Sequence, residues 1–278
     1  MSKVFLVVSK SFGGKDTFMT ELLLDKEFCE ENSIEAPPRL TTRKQRAGEI
    51  HGDKYYFQSD KEFDEDLKDY KDQIVVEKYD TEYGILRYAS ILPPEDGPCN
   101  FIYTADPEYL DEYKRILGDR LCVIYLAPPN YVLLKRFSER KENSEYTDKK
   151  WKEIGRRFMD DMYKFGLKSN YYLGNCHSII NLGEEVYINS IKQSMKSFLE
   201  NDEPRKECTI FNNSQTFTIP MSNKNSIFKF DNSKVVHYMT IKELLDGDIF
   251  IRKDFKINTE KSKCSSLDVI TIREVNNN

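Results

Sequence analysis

The run Val4-Phe5-Leu6-Val7-Val8, which breaks into Ser9-Lys10-Ser11-Phe12-Gly13-Gly14-Lys15-Asp16-Thr17 and then into helix-like sequence, decides the fold class. A continuous apolar run of this length reads as a strand buried on both faces, and a glycine turn followed by a helix start aims backbone N–H groups at one point. A polyphosphate fits such a point, beside the ammonium of Lys15. Two positions depart from the usual loop pattern: Ser9 stands where glycine is common, and Asp16 stands where a hydroxyl residue is common. Ser9 is expected to strain the turn if φ must be positive there.

Strand-length apolar runs recur at Phe101 to Thr104, Leu121 to Leu126 and Ser178 to Asn181, separated by helical patterns. That alternation predicts an α/β fold with a parallel sheet. Helical spacing covers Thr17 to Glu30 and Trp151 to Leu173, and helix starts are expected at Asp106-Pro107 and Pro129-Asn130. Residues 39–88, rich in Arg, Glu, Tyr and Gly with short β-like pieces, read as an inserted lobe. The charged stretch from Arg140 to Lys150 has almost no apolar residues and is expected to act as a mobile lid. Beyond about Asn201 the helical periodicity gives way to short β-branched and aromatic runs, so residues 201–278 are read as a small β-rich C-terminal module. Within it, Thr240-Ile241-Lys242-Glu243 resembles a capping-box helix start.

Composition narrows the function classes. The chain has 278 residues, enough for one α/β core and an appendage, and a formal net charge of -5 provides no global basic field for nucleic acid or an anionic membrane. Apolar runs fall short of the roughly 20 residues of a membrane span, and Met1-Ser2-Lys3 leads into a strand instead of a cleavable signal. A cytoplasmic location is therefore expected. Six dispersed cysteines and three isolated histidines give no zinc or disulfide pattern.

The second decisive stretch is Thr41-Thr42-Arg43-Lys44-Gln45-Arg46-Ala47-Gly48-Glu49-Ile50-His51-Gly52-Asp53-Lys54-Tyr55-Tyr56-Phe57. Two arginines three apart, with tyrosine hydroxyls, form a fork suited to a dianionic phosphate. The stretch resembles the guanylate kinase signature T-T-R-x-x-R-x-G-E-x-x-G-x-x-Y-x-F at every specified letter. Further similarities follow in family order: Glu77 after Ile74-Val75-Val76, Tyr83-Gly84, Asp106, Leu126-Ala127-Pro128-Pro129, arginines at 136, 140 and 157, and Ile179-Ile180-Asn181. The resemblance covers roughly Lys3 to Glu200.

This resemblance implies a three-layer P-loop kinase core over residues 1–200, with an NMP-binding lobe at about 39–88 and a lid at about 140–150. It implies ATP-dependent phosphorylation of a nucleoside monophosphate, GMP or dGMP first. Lys15, Arg140 and Arg157 would be catalytic. Ser11, Gly13, Gly14, Lys15, Asp16, Thr17, Arg136 and Asn181 would hold ATP, with Mg²⁺ at Asp16. Arg43, Arg46, Glu49, Tyr55, Glu77, Tyr83 and Asp106 would hold the acceptor. A carboxylate at Glu77 would accept from the ring N–H and exocyclic amine of guanine, a pairing adenine cannot reproduce. Several residues depart from the family pattern: Asp16, Thr104 in place of a strand-end acid, Arg39 in place of a base-reading serine, and Ile85 in place of a hydroxyl. They keep open a silent guanylate-kinase-like module that binds a nucleotide or a phosphorylated partner, and a kinase with a shifted purine acceptor.

Overall fold

The computed structural model describes residues 1–70, 72–81, 84–128, 130–142, 146–167, 176–181, 188–201, 207–212, 215–220, 228–231, 236–239 and 271–274. Two compact units emerge. One comprises Met1–Val8, Met19–Val123 and Met195–Glu203, and the other Ser9–Phe18, Ile124–Ser194 and Pro204–Asn278. The chain opens with β1 (Val4–Ser9), α1 (Lys15–Leu24), α2 (Lys26–Glu31), β2 (Ile34–Glu35), β3 (Arg39–Thr41) and β4 (Tyr55–Phe57). It continues through α3 (Asp60–Tyr70), β5 (Ile74–Thr81), β6 (Gly84–Ile91), β7 (Asn100–Thr104), α4 (Leu110–Leu117) and β8 (Leu121–Leu126). Next come α5 (Asn130–Glu142), α6 (Asp148–Leu167), β9 (Cys176–Asn181) and α7 (Ile188–Asn201). The last strands are β10 (Glu207–Asn212), β11 (Gln215–Pro220), β12 (Phe228–Asp231), β13 (Val236–Met239) and β14 (Thr271–Glu274).

In the first unit β1 runs parallel to β7, Val4 opposite Phe101 and Val7 opposite Thr104, and β2 adds to β7 in parallel. Val4 to Val8 are wholly buried, as an apolar run covered on both faces requires. Phe198 of α7 meets Phe5 edge-on at 5.7 Å. Helix α4 buries Leu110, Tyr113 and Leu117, one stripe at helical spacing, and stops at Gly118, whose φ of 55° suits glycine. The helical pattern expected from Thr17 to Glu30 is broken once: Asp25 ends α1 and caps α2 by accepting from the Phe28 N–H at 3.1 Å.

Within the same unit lies a four-stranded sheet in the order β4-β3-β6-β5. β3 is parallel to β4 and antiparallel to β6, and β5 and β6 form a hairpin. Leu40, Phe63 and Ala89 are its buried centre, with Leu67, Ile74, Val76 and Ile91 packed against them. Helix α3 was not anticipated, although its signal is in the chain: the Ser59 N–H donates to Glu62 and the Glu62 N–H to Ser59 Oγ, a reciprocal capping box.

In the second unit β10 pairs in parallel with β9 and antiparallel with β11. The strands β12, β13 and β14 form a separate antiparallel sheet. Arg140 stands on α5 and Asp148 to Lys150 on α6, so helices enter the expected lid from both sides. Thr240 to Glu243, read as a helix start, lies outside the described residues. Among the described residues, no helix is long and apolar enough to cross a membrane.

Candidate functional site

The phosphate loop spans the end of β1 and the start of α1. The Gly13 N–H donates to the Lys10 carbonyl at 2.9 Å, and the Phe18 N–H donates to the Gly14 carbonyl at 2.9 Å. Gly14 has φ of 93°. A Cβ on Gly13 would fall 1.6 Å from Ser9 Oγ, so the loop closes only because that position is glycine. The strain expected at Ser9 is elsewhere: Phe12, with φ of 67°, and Ser33 are the non-glycine residues at positive φ among those described. Backbone strain of this kind persists only where surrounding contacts hold it. Here Phe12 meets Phe137 edge-on at 5.4 Å and Phe158 at 5.9 Å, and the two partner rings stack at 5.6 Å. Arg136 Nη1 donates to the Phe12 carbonyl at 2.9 Å, and the Arg140 guanidinium lies 6.0 Å from the Phe12 ring centre.

One loop amide is already taken by an anion. The Ser11 N–H donates to Asp161 Oδ2 on α6 at 2.5 Å. Lys15 is half-buried, while Asp16 and Thr17 are exposed on the first turn of α1. Arg157 is exposed on α6. Asn181 closes β9, and its side chain is outside the described ones.

In the lobe, the signature folds around Arg43. Its Nη1 and Nη2 donate to Glu49 Oε2 and Oε1 at 2.9 and 2.8 Å, and the guanidinium stands 5.1 Å from the Tyr55 ring and 5.2 Å from Phe57. The Arg46 backbone N–H adds a 2.8 Å bond to Glu49. Hydrogen bonding from Arg43 pulls the Glu49 carboxyl down to about 2, against the opposing effect of burial. Gly48 and Gly52, at φ of 81° and 87°, turn the chain so that this contact closes. Arg43, Arg46, Glu49 and Tyr55 are thus gathered at one place, with the Arg46 side chain exposed.

A second, deeper cluster surrounds Glu77, which is fully buried. Tyr113 donates to its Oε1 at 3.0 Å and Tyr79 to its Oε2 at 2.5 Å, while Arg39 Nη2 sits 2.9 Å from Oε1 as an ion pair. Arg39 Nη1 donates to the Thr104 carbonyl at 3.1 Å. Burial opposes the Arg39 charge, but Glu77 and the surrounding tyrosines outweigh it and push its pKa upward. Burial first, then the Glu77 charge, pushes Tyr79 and Tyr113 well above the usual tyrosine range. Tyr109 pins β5 by accepting from the Lys78 N–H and donating to the Lys78 carbonyl. Tyr88 joins the two clusters, 5.8 Å from the Tyr55 ring, 5.3 Å from Tyr79 and 5.6 Å from the Arg39 guanidinium.

Asp106 caps the turn at Pro107 by accepting from the Glu108 N–H at 3.0 Å, and it is among the charges felt by Tyr79. Tyr83 lies outside the described residues. Sequence reasoning did not single out Tyr79, Tyr88, Tyr113, Phe12 or Asp161. For Tyr79 a signal existed, since residues two apart on a strand share a face, and Tyr79 follows Glu77 on β5.

No protein-family model matches the chain. It is 32% identical over 171 residues to the guanylate kinase of Porphyromonas gingivalis, covering 58% of this chain and 87% of that protein. It is 27% identical over 147 residues to the guanylate kinase of Rickettsia prowazekii, covering 52% of this chain and 71% of that protein. A crystal structure of guanylate kinase from Anaplasma phagocytophilum aligns at a TM-score of 0.46 with 16% identity, over 73% of this chain and 86% of that one. The match to the Porphyromonas protein exceeds 30% identity and covers 87% of that protein, and on that ground the chain belongs to the guanylate kinase family.

Proposed function

We propose that the protein is an ATP-dependent nucleoside monophosphate kinase whose first acceptor is GMP or dGMP. The observation that carries this reading is the Arg43 fork, buried against Tyr55 and Phe57 and held in place by its two hydrogen bonds to Glu49. Arg43 and Arg46 hold the acceptor phosphate, with Glu49 and Tyr55 orienting the fork. Glu77, Asp106 and Tyr83 are the further residues assigned to acceptor binding.

On the donor side, Ser11, Gly13, Gly14, Lys15 and Thr17 line the phosphate loop, Arg136 braces it, and Asn181 sits at a strand end suited to the adenine. Arg140 and Arg157 neutralise charge on the transferring group. Phosphoryl transfer passes through a loose transition state, so positioning and charge balance are the protein's contributions, and loss of one clamp costs about 2–4 kcal/mol of barrier. The acceptor phosphate is itself the nucleophile, and no general base is needed. The exposed Asp16 carboxylate is a hard oxygen donor at the loop's helix start, which suits Mg²⁺. When bound, that ion supplies positive charge to the phosphates. A cytoplasmic site of action fits the absence of a membrane-length helix among the described residues.

The Asp161 carboxylate on a loop amide, together with Asp16, favours a second reading in which the donor side is silent and the lobe serves as a binding module for a nucleotide or phosphorylated partner. Purified protein with ATP, Mg²⁺ or Mn²⁺ and a panel of nucleoside monophosphates separates the two. The kinase reading expects ADP release with GMP. Turnover with none overturns it in favour of the module, and turnover confined to a non-guanine acceptor overturns the GMP assignment.

A further inference from the structure

Phe12 holds a full side chain at φ of 67°, in the left-handed region that glycine occupies without strain. A bulky residue kept in such backbone is destabilising, and outliers of this kind gather where the side chain has a task. Phe12 lies in the same compact unit as α5 and α6, and its contacts lead to both. Its carbonyl accepts from Arg136 Nη1 at 2.9 Å, and its ring meets the stacked pair Phe137 and Phe158. The rings continue from Phe137 to Trp151 at 5.6 Å, and from Trp151 to Tyr146 at 5.7 Å. The Arg140 guanidinium touches both ends of this series, 6.0 Å from the Phe12 ring centre and 5.9 Å from that of Tyr146. Its Nη2 also donates to the Tyr146 hydroxyl at 3.5 Å. Aromatic faces attract a guanidinium and narrow the range of a long, exposed side chain.

Resting on the donor-side reading above, we infer that Phe12 is the positioning residue for Arg140, tying the phosphate loop to α5 and α6 and keeping the guanidinium beside the loop. Arg136 and Arg140 are four residues apart on one face of α5, so Phe12 grips that face twice, through its carbonyl and through its ring. Glycine at this position relaxes the backbone and keeps the first grip but loses the second. A cation held in place beside the transferring phosphoryl group acts on the rate and not on the affinity for the acceptor. Phosphates taken up by the loop amides shift the backbone that carries Phe12, and the ring contacts pass that shift to Trp151, the single tryptophan of the chain.

The test uses the full chain, with Phe12→Leu, Phe12→Gly, Phe12→Tyr and Arg140→Met beside the wild type. Steady-state kinetics with ATP and GMP are measured together with Trp151 emission during an ATP titration. Phe12→Leu and Phe12→Gly are expected to lower kcat about tenfold or more, to leave KM for GMP within about twofold, and to lose the ATP-induced change in emission. Phe12→Tyr keeps the ring and retains both properties. Phe12→Gly relieves the positive φ as it removes the ring, so its loss of kcat with an intact melt separates positioning from stability. Since Phe12 acts through Arg140, Phe12→Leu added to Arg140→Met should lower kcat by less than about twofold further. Wild-type kcat and emission response in folded Phe12→Gly, the full tenfold loss on top of Arg140→Met, or ATP that binds the wild type without changing Trp151 emission overturns the inference and leaves the kinase reading standing. An emission change present in the wild type and lost in Phe12→Gly, without turnover of any acceptor, overturns the kinase reading and leaves the tie between loop and helices standing. No ATP binding by calorimetry overturns both.

Discussion

Asp161 Oδ2 accepts a 2.5 Å hydrogen bond from the Ser11 N–H, across 150 residues of chain, so a side-chain carboxylate occupies a backbone donor of the phosphate loop. An incoming polyphosphate meets that charge at close range. Asp161→Asn keeps an acceptor for the amide and removes the charge. We expect it to tighten metal-free ATP or ADP about fivefold, about 1 kcal/mol at the effective dielectric of a protein surface, as read by calorimetry. Weaker binding instead would show that the carboxylate serves to hold the loop's shape.

Lys15 stands half-buried at the first turn of α1, next to the loop glycines. Lys15→Ala is expected to lower phosphoryl transfer by about a hundredfold or more while the affinity for GMP stays within about threefold of wild type. A variant with the wild-type rate would remove the loop from the mechanism.

The Arg43 to Glu49 pair predicts an acid limb of stability. Glu49 is held at about 2 when folded, below its ordinary 4.5, chiefly by the hydrogen bonds from Arg43. Its contribution is complete above about 4.5 and disappears as pH falls through about 2, because the unfolded chain takes up the proton first. Thermal melts of wild type and Glu49→Gln should differ at pH 6 and converge near pH 2. A difference that persists unchanged at pH 2 would mean that Glu49 acts through packing and not through charge.

Tyr113 donates to Glu77 at 3.0 Å and stands 2.8 Å from Ser90 Oγ, entirely buried. Tyr113→Phe preserves the ring and leaves those oxygens one partner short, which should cost about 1–3 kcal/mol in denaturant unfolding. A loss below about 0.5 kcal/mol would indicate that the remaining partners of Glu77 close the gap.

Residues whose meaning is set by neighbours in sequence were legible. Val4 to Val8, the parallel partner at Phe101 to Thr104, and the turn at Asp106-Pro107 all follow from local pattern. The Thr41 to Phe57 stretch was legible because its arginine, glutamate and glycines act within one turn of chain. Partners brought together only by folding were not. Arg39 meets Glu77 from a different strand, and Phe12 packs edge-on against the stacked Phe137 and Phe158 from more than 120 positions away, so no spacing rule connects them. Asp161 falls among the charged residues of α6, and nothing in that helix distinguishes it until the loop is seen against it.

Asp16 is the remaining departure on the donor side, and its consequence depends on the metal. The carboxylate is exposed at the loop's helix start, where a free negative charge repels the β- and γ-phosphates and a bound Mg²⁺ turns it into a ligand. Asp16→Ser should therefore tighten ATP several-fold when EDTA removes the metal, since about 1 kcal/mol of repulsion is relieved. In millimolar Mg²⁺ that gain should vanish or reverse. Combining it with Asp161→Asn should add the two metal-free gains, because each removes one charge from the same polyphosphate and the two carboxylates sit on different helices. Tighter ATP binding by Asp16→Ser at saturating Mg²⁺ would show that Asp16 does not ligate the ion, and would place the metal on Thr17 or on the nucleotide alone.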